Sequence, residues 1–342
     1  MRHAAIQSHS RQRSLPLDAT LSALTANTVP AVQQARSGLS ALSAGQDRAD
    51  HEVMTEKITV GYDGSTPSGE AVDWAADEAS SRGAGLRIVC CYRLPVANSA
   101  AFGWPATEAV ELLLEAADQN AKDISARVTQ LHPDLEVATS VSAGPADLAL
   151  IDGAASDDLI VVGASAHEGH SAFWLGSTPR QLVRHSPCPV VVVRGSASRG
   201  RPDRVVIGVD GSTSSTAALE WAGDEADRHR VPLVVVHAWS YPYADAAIGS
   251  AQARELMEVD AACVLDRCVE HARERFASDI VGQLVEDGAV PALIDTVRDG
   301  DLLVLGSRGH GALITGILGS TVNAVLDRAN VPVVVVRKAT VA

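Results

Sequence analysis

Gly61-Tyr62-Asp63-Gly64-Ser65 and Gly208-Val209-Asp210-Gly211-Ser212 are one turn written twice, and the offset from Asp63 to Asp210 is 147 residues. Trp74-Ala75-Ala76-Asp77-Glu78-Ala79 returns at the same offset as Trp221-Ala222-Gly223-Asp224-Glu225-Ala226. Farther on, the run PVVVVR at Pro189–Arg194 recurs at Pro332–Arg337, now 143 residues later. The second copy has therefore lost four residues, a loss expected in the long connection before its third strand. Self-similarity at a fixed period marks a duplicated unit. The link between the copies, Gly195 to Pro202, is short and rich in Ser, Gly and Arg.

Within each copy, short Val/Ile/Leu runs alternate with helical segments. In the first copy strands are expected at Lys57–Asp63, Leu86–Tyr92, Glu136–Val141, Leu159–Gly163 and Pro189–Arg194. Helices are expected near Ser68–Arg82, Ala106–Leu131, Ala146–Ala155 and Thr178–His185, and the second copy repeats the order from Arg204 to Arg337. Strands buried on both faces read as continuous aliphatic runs, and strand-helix-strand units with right-handed crossovers build a parallel sheet. The expected fold is α/β: two tandem doubly wound parallel five-stranded sheets with helices on both faces, in domains 56–195 and 203–338. Ligands of such sheets bind at strand carboxyl ends beside the topological switch point. The ends of the first and fourth strands are therefore the places to look.

Composition narrows the partners. The 342 residues suffice for two domains, each with its own core. Hydrophobic residues make up 46% of the chain but aromatics only 4%, so the interior is built of Val, Leu, Ile and Ala. A net charge of −14 repels a long polyanion and argues against a nucleic-acid partner. A small phosphate ligand is still allowed, because local backbone N–H groups hold it against the global field. The five cysteines form no C-x-x-C pair, and Cys90 and Cys91 point to opposite faces of one strand. They read as small core residues in a reducing compartment. No apolar run reaches membrane length and no signal-peptide core precedes a cleavage site, so a cytoplasmic location without a membrane partner is expected.

Residues 1–55 stand apart. They are rich in Ala, Ser, Gln and Arg, and the pieces Leu15–Leu24 and Ala31–Leu42 have no apolar stripe long enough to dock. They read as a disordered N-terminal extension. Met54-Thr55-Glu56-Lys57 leads straight into the first strand, so the alternative expectation is that Met54 is the real start.

After the fourth strand of the second copy comes Gly306-Ser307-Arg308-Gly309-His310-Gly311, then an apolar run, then Gly319-Ser320-Thr321 opening a helix. Gly306 turns the chain off the strand, and Gly309 lets backbone N–H groups approach a phosphate. Gly319 and Ser320 begin a helix whose first N–H groups and dipole favour an anion. The hydroxyls of Ser320 and Thr321 are further donors, and Arg308 is either a phosphate-binding charge or a solvated one. Asp210, at the end of the first strand, is an acceptor for a ribose hydroxyl or a turn former beside Gly211. Backbone groups near Ala238, at the end of the second strand, are placed to read the edge of a base, while His237 alone reads as a core histidine.

These residues resemble the universal stress protein family over nearly all of Glu56–Lys338. The matching pieces are the VGYDGS and IGVDGS openings, the G-x2-G-x9-G-S loop and the PVVVVR ends. In that family the loop marks members that bind ATP, often with a divalent cation such as Mg or Mn, on an adenine nucleotide alpha hydrolase-like fold. The resemblance implies triphosphate contacts at Gly306, Arg308, Gly309, Gly319, Ser320 and Thr321, ribose contact at Asp210 and adenine contact near Ala238. It also implies that Val190–Val193 and Val333–Val336 pair with each other inside the chain, as final strands do in the family's dimers. Whether two chains associate further into a homodimer stays open.

The first copy departs from the pattern. It keeps Asp63, Gly163, Gly176 and Ser177, but Ala166 stands where the second copy has Gly309, and Glu168 replaces Gly311. A weaker or empty first site is expected. The leading functional expectation is a non-catalytic ATP-binding stress or regulatory protein. An enzyme that hydrolyses ATP or transfers a nucleotidyl or phosphoryl group is the second. The chain has no G-x-x-x-x-G-K-[ST] and no lysine near either loop, which weighs against it. A nucleotide-free interaction scaffold is the third.

Overall fold

The computed structural model describes residues 56–92, 106–164, 175–194, 201–241, 250–309 and 318–337, without the side chains of 106–109 and 250. The expected N-terminal extension and the linker, apart from its last residues, lie outside the described residues. The first copy runs β1 (Lys57–Tyr62), α1 (Thr66–Arg82), β2 (Gly85–Tyr92), α2 (Ala106–Leu131), β3 (Val137–Ala143), α3 (Ala146–Ile151), β4 (Leu159–Gly163), α4 (Ser177–His185) and β5 (Val190–Val193). The second runs β6 (Arg204–Gly208), α5 (Thr213–His229), β7 (Leu233–Trp239), α6 (Ser250–Arg275), β8 (Ile280–Glu286), α7 (Ala289–Thr296), β9 (Asp301–Gly306), α8 (Ser320–Arg328) and β10 (Val333–Val336). The four lost residues do fall before the third strand, three ahead of the long helix and one behind it. The third helix is shorter than expected. In α3 the chain leaves the helix at Asp152, whose extended backbone closes it with an N–H bond to the Leu148 carbonyl.

The strand order is β3-β2-β1-β4-β5-β10-β9-β6-β7-β8. Each half is a doubly wound parallel sheet, and the two halves continue one another as a single ten-stranded sheet. They meet where Val190, Val191 and Val192 pair antiparallel with Val335, Val334 and Val333. That pairing covers two edges that would otherwise offer open hydrogen-bonding groups. It also reverses the strand direction between halves, so the carboxyl ends of the two halves lie on opposite edges of the sheet.

Both faces of the sheet are covered. One face packs against α1, α2, α5 and α6, with Val191, Val193, Val334 and Val336 in its core. The other packs against α3, α4, α7 and α8, with Val190, Val192, Val333 and Val335. Strands enclosed on both sides have no polar face to display, which is why the four-valine runs are tolerated. The first helix of each copy starts on a serine cap: Ser68 N donates to Ser65 Oγ, and Ser215 N to Ser212 Oγ. Cys90 belongs to one face and Cys91 to the other, as strand alternation requires.

A buried ionic cluster joins the copies. Glu78 and Arg82 of α1 meet Glu225 and His229 of α5, the same two helix positions in each copy. Arg82 Nη2 lies 2.6 Å from Glu225 Oε2, and its Nε contacts Glu78. His229 Nε2 sits 3.1 Å from Glu78 Oε2 and 3.0 Å from Glu225 Oε1. Each carboxylate thus gives one oxygen to the guanidinium and the other to the imidazole. Glu56 and Arg228 extend the network at its rim, and Arg82 stacks on Trp221 at 5.7 Å.

Candidate functional site

In the second copy the chain passes from β6 to β7 and β8 on one side, then returns to β9 on the other. The switch point lies between β6 and β9. Beyond β6, Asp210 is held by its own turn: Ser212 N donates to Asp210 Oδ1 at 2.9 Å, and Asp210 N donates to Ser215 Oγ at 3.4 Å. Gly211 supplies the left-handed backbone (φ 77°) that brings the chain from Asp210 to the cap of α5. On the neighbouring strand His237 Nδ1 lies 2.7 Å from the Val209 carbonyl, which accounts for that ring as a partnered histidine. Ala238 follows it, half-buried, at the end of β7.

Beyond β9, two glycines stand in close approach to other groups. A Cβ on Gly306 would stand 2.7 Å from the Ser214 carbonyl oxygen, and one on Gly309 would stand 2.5 Å from Asp210 Oδ2. The chain is therefore pressed against α5 at Gly306 and against the Asp210 carboxylate at Gly309. Gly319 N donates to the Ser307 carbonyl at 3.2 Å, which returns the chain to the loop just as α8 begins. Gly319 is the N-cap of α8, no side chain caps that end, and its first turn carries no acid. Ser320 is exposed there and Thr321 half-buried. Asp210, Gly306, Arg308, Gly309 and Gly319 thus meet at one edge, with Ser320 and Thr321 beginning the adjoining helix. His310 and Gly311 lie outside the described residues.

Three contributors were not expected from the sequence. Ser215 receives the Asp210 N–H. The recurring D-G-S-x-x-S at Asp63–Ser68 and Asp210–Ser215 was a legible signal for it. Ser214 receives the Arg308 N–H at 3.3 Å and has no counterpart in the first copy, where Pro67 stands. Arg337, at the end of β10, is brought close enough to Arg308 that burial and the like charge both hold its pKa down.

The first copy repeats the framework at the opposite edge. A Cβ on Gly163 would stand 2.5 Å from the Pro67 carbonyl oxygen. Gly176 N donates to the Ala164 carbonyl at 2.9 Å, and Gly176 caps α4 ahead of an exposed Ser177. Burial pushes the Asp63 carboxyl up, but hydrogen bonds from Ser65 and Ser68 outweigh it and leave its pKa below the usual value. Ala166 and Glu168 lie outside the described residues. Between the copies, Arg180 reaches from α4 to α8. It donates to the Leu175 carbonyl, to Asn323 Oδ1 at 3.4 Å and to Asp327 Oδ1 at 2.6 Å, while Asn323 Nδ2 donates to the Gly319 carbonyl.

Among the described residues, the one grouping of His, Cys and carboxylate side chains with metal-ligand spacing is Glu78, Glu225 and His229. It is not at the strand ends described above, and Arg82 already occupies its carboxylates. No described helix is long and apolar enough to cross a membrane.

Residues 54–194 and 202–337 each match the Universal stress protein family. A universal stress protein of Mycolicibacterium smegmatis is 32% identical over 291 residues, covering 82% of this chain and 96% of that protein. Universal stress protein Rv1996 of Mycobacterium tuberculosis is 33% identical over 308 residues, covering 82% and 94%. The crystal structure of a universal stress protein from Archaeoglobus fulgidus covers 83% of this chain and 99% of its own, with a TM-score of 0.58 at 19% identity, a likeness of fold.

Proposed function

Because the chain belongs to the universal stress protein family in both of its copies, we propose that it is an ATP-binding regulatory protein whose principal nucleotide site is the carboxyl edge of the second copy. The observation that carries this is the start of α8, which no side chain caps and no acid opposes, opening beside Gly306–Gly309 at the switch point. Helix N–H groups and dipole at such a position favour an anion. The absence of a Cβ at Gly309 lets the loop backbone lie against the Asp210 carboxylate, which brings the two strand ends together.

In this reading Gly306, Gly309, Gly319, Ser320 and Thr321 surround the phosphates, and Arg308 adds charge at their outer side. Asp210 accepts from the ribose and the backbone near Ala238 meets the adenine. A divalent cation, Mg or Mn, accompanies the triphosphate and offsets its charge. The first copy, through Asp63, Gly163, Gly176 and Ser177, is the weaker site. The protein works in the cytoplasm as a binder rather than a catalyst, with the bound nucleotide biasing its conformation or association.

The test is direct. Purified protein is denatured and the released small molecules are identified, and the stripped protein is then titrated with ATP with and without Mg. Adenine nucleotide in the released fraction and saturable ATP binding are expected, with phosphate release at background. No nucleotide and no binding would remove the proposal, and steady phosphate release would replace it with an ATPase.

A further inference from the structure

Ser214 stands in the first turn of α5, where that helix meets the end of β9. Its Oγ accepts the Arg308 N–H at 3.3 Å. A Cβ on Gly306 would come within 2.9 Å of the same Oγ and 2.7 Å of the Ser214 carbonyl oxygen. The helix start and the loop are therefore in contact through both backbone and side chain. In the first copy the backbone half of this contact is retained, with the Pro67 carbonyl 2.5 Å from the place of a Cβ on Gly163. The side-chain half is not: Pro67 has no hydroxyl, and Ser214 is its counterpart 147 residues later.

We propose that Ser214 is a positioning residue of the second-copy phosphate loop, holding the Arg308 amide so that Gly309 is kept against Asp210. This rests on the nucleotide-binding reading above and adds to it a residue outside the glycine pattern. A loop of glycines has many accessible backbone states, and each must be given up when a phosphate is bound. An anchor at Arg308, one residue before Gly309, removes part of that freedom before the ligand arrives. The hydroxyl accepts from Arg308 and keeps its own proton to donate. Proline at this position suits the first turn of a helix but offers no acceptor. The difference between the two copies thus begins in the helix that faces the loop.

The experiment uses the full chain with ATP and adenosine as probes. Ser214→Ala removes the hydroxyl, Ser214→Pro installs the residue of the first copy, and Ser214→Thr retains a hydroxyl. ATP affinity is expected to fall about three- to tenfold in the Ala and Pro variants, the worth of one neutral hydrogen bond, and to return in the Thr variant. Adenosine affinity is expected to stay level in all three, because Asp210 is held by its own turn through Ser212 and Ser215 whether or not Arg308 is anchored. In nucleotide-free protein, amide exchange at Arg308 is expected to quicken in Ser214→Ala and not in Ser214→Thr. Unchanged exchange at Arg308 in Ser214→Ala overturns the anchor, as does an equal loss of ATP and adenosine binding. If the wild type binds neither ligand, the nucleotide reading fails. The exchange comparison still decides whether Ser214 holds the loop.

Discussion

His229 Nε2 of the second copy lies 3.1 Å from Glu78 Oε2 of the first, with both side chains enclosed. The contact closes a ring in which Arg82 and His229 lie between Glu78 and Glu225. Burial disfavours the charged imidazole, but hydrogen bonds to Glu225 and Glu78 outweigh it and raise the His229 pKa to about 9. Burial also raises Glu78, yet His229 and Arg82 bring it down to about 2. Burial and the charge of Glu78 push the Glu225 carboxyl upward, against the hydrogen bond from His229 and the charge of Arg82.

Stability should therefore depend on pH at the alkaline side. A raised His229 pKa contributes its full stabilisation below the unfolded value of 6.5 and loses it as pH rises through about 9. A loss of up to about 3 kcal/mol is expected between pH 6 and pH 10. Urea unfolding of wild type and His229→Gln across that range checks it, since the variant should lack the alkaline fall.

Arg82→Met should destabilise more than any surface charge change. It leaves Glu78 and Glu225 enclosed without their guanidinium, and stranding a buried charge costs about 3–5 kcal/mol. Arg228, 2.6 Å from Glu225, stays in place and keeps the effect near the lower end. Denaturant midpoints at constant pH measure it.

The two loop glycines should fail differently. A Cβ on Gly306 meets the Ser214 backbone at 2.7 Å, so Gly306→Ala is expected to lower stability by about 1–3 kcal/mol. A Cβ on Gly309 meets only the end of the Asp210 side chain, which can swing away. Gly309→Ala should keep the melting temperature and lose ATP affinity roughly tenfold, about 1.4 kcal/mol. Calorimetry and ATP titration on the same samples separate the two.

Gly223 is fixed by one neighbour. A Cβ there would lie 2.2 Å from Phe276 Cε2, inside the core. The corresponding residue of the first copy is Ala76, also buried, and the position equivalent to Phe276 there is His132. Gly223→Ala is expected to cost about 1–3 kcal/mol, and Phe276→Leu in the same chain should recover part of it by thermal unfolding.

Arg230 closes α5 in the left-handed region, with φ 54°, where the first copy uses Gly83 with φ 63°. A side chain at that angle is strained relative to glycine. Arg230→Gly should raise stability by about 0.5–1 kcal/mol in chemical denaturation, since the Arg201 bond to its carbonyl does not need the side chain.

Much was legible in the sequence because it is local. Aliphatic runs specify strands buried on both faces, Ser65 and Ser212 announce helix starts, and the glycine spacing from Gly306 to Gly319 marks the loop. The twofold repetition made each reading checkable against its copy, and the resemblance to the family's final strands implied that Val190–Val193 and Val333–Val336 join, as they do. What the chain alone did not determine was how distant side chains meet. The antiparallel seam sends the two strand-end sites to opposite edges of one sheet, and no residue pattern within a single copy encodes that reversal. Arg82 and Glu225 are 143 residues apart, and Glu78 and His229 are 151 apart. Read singly they are ordinary helix-surface charges, and only packing α1 against α5 encloses them. Ser214 is likewise one serine among several until β9 folds back and sets the Arg308 amide on it. Hydrogen bonds within a turn are fixed by backbone geometry over a few residues, whereas these contacts exist only once the whole sheet has brought separate segments together.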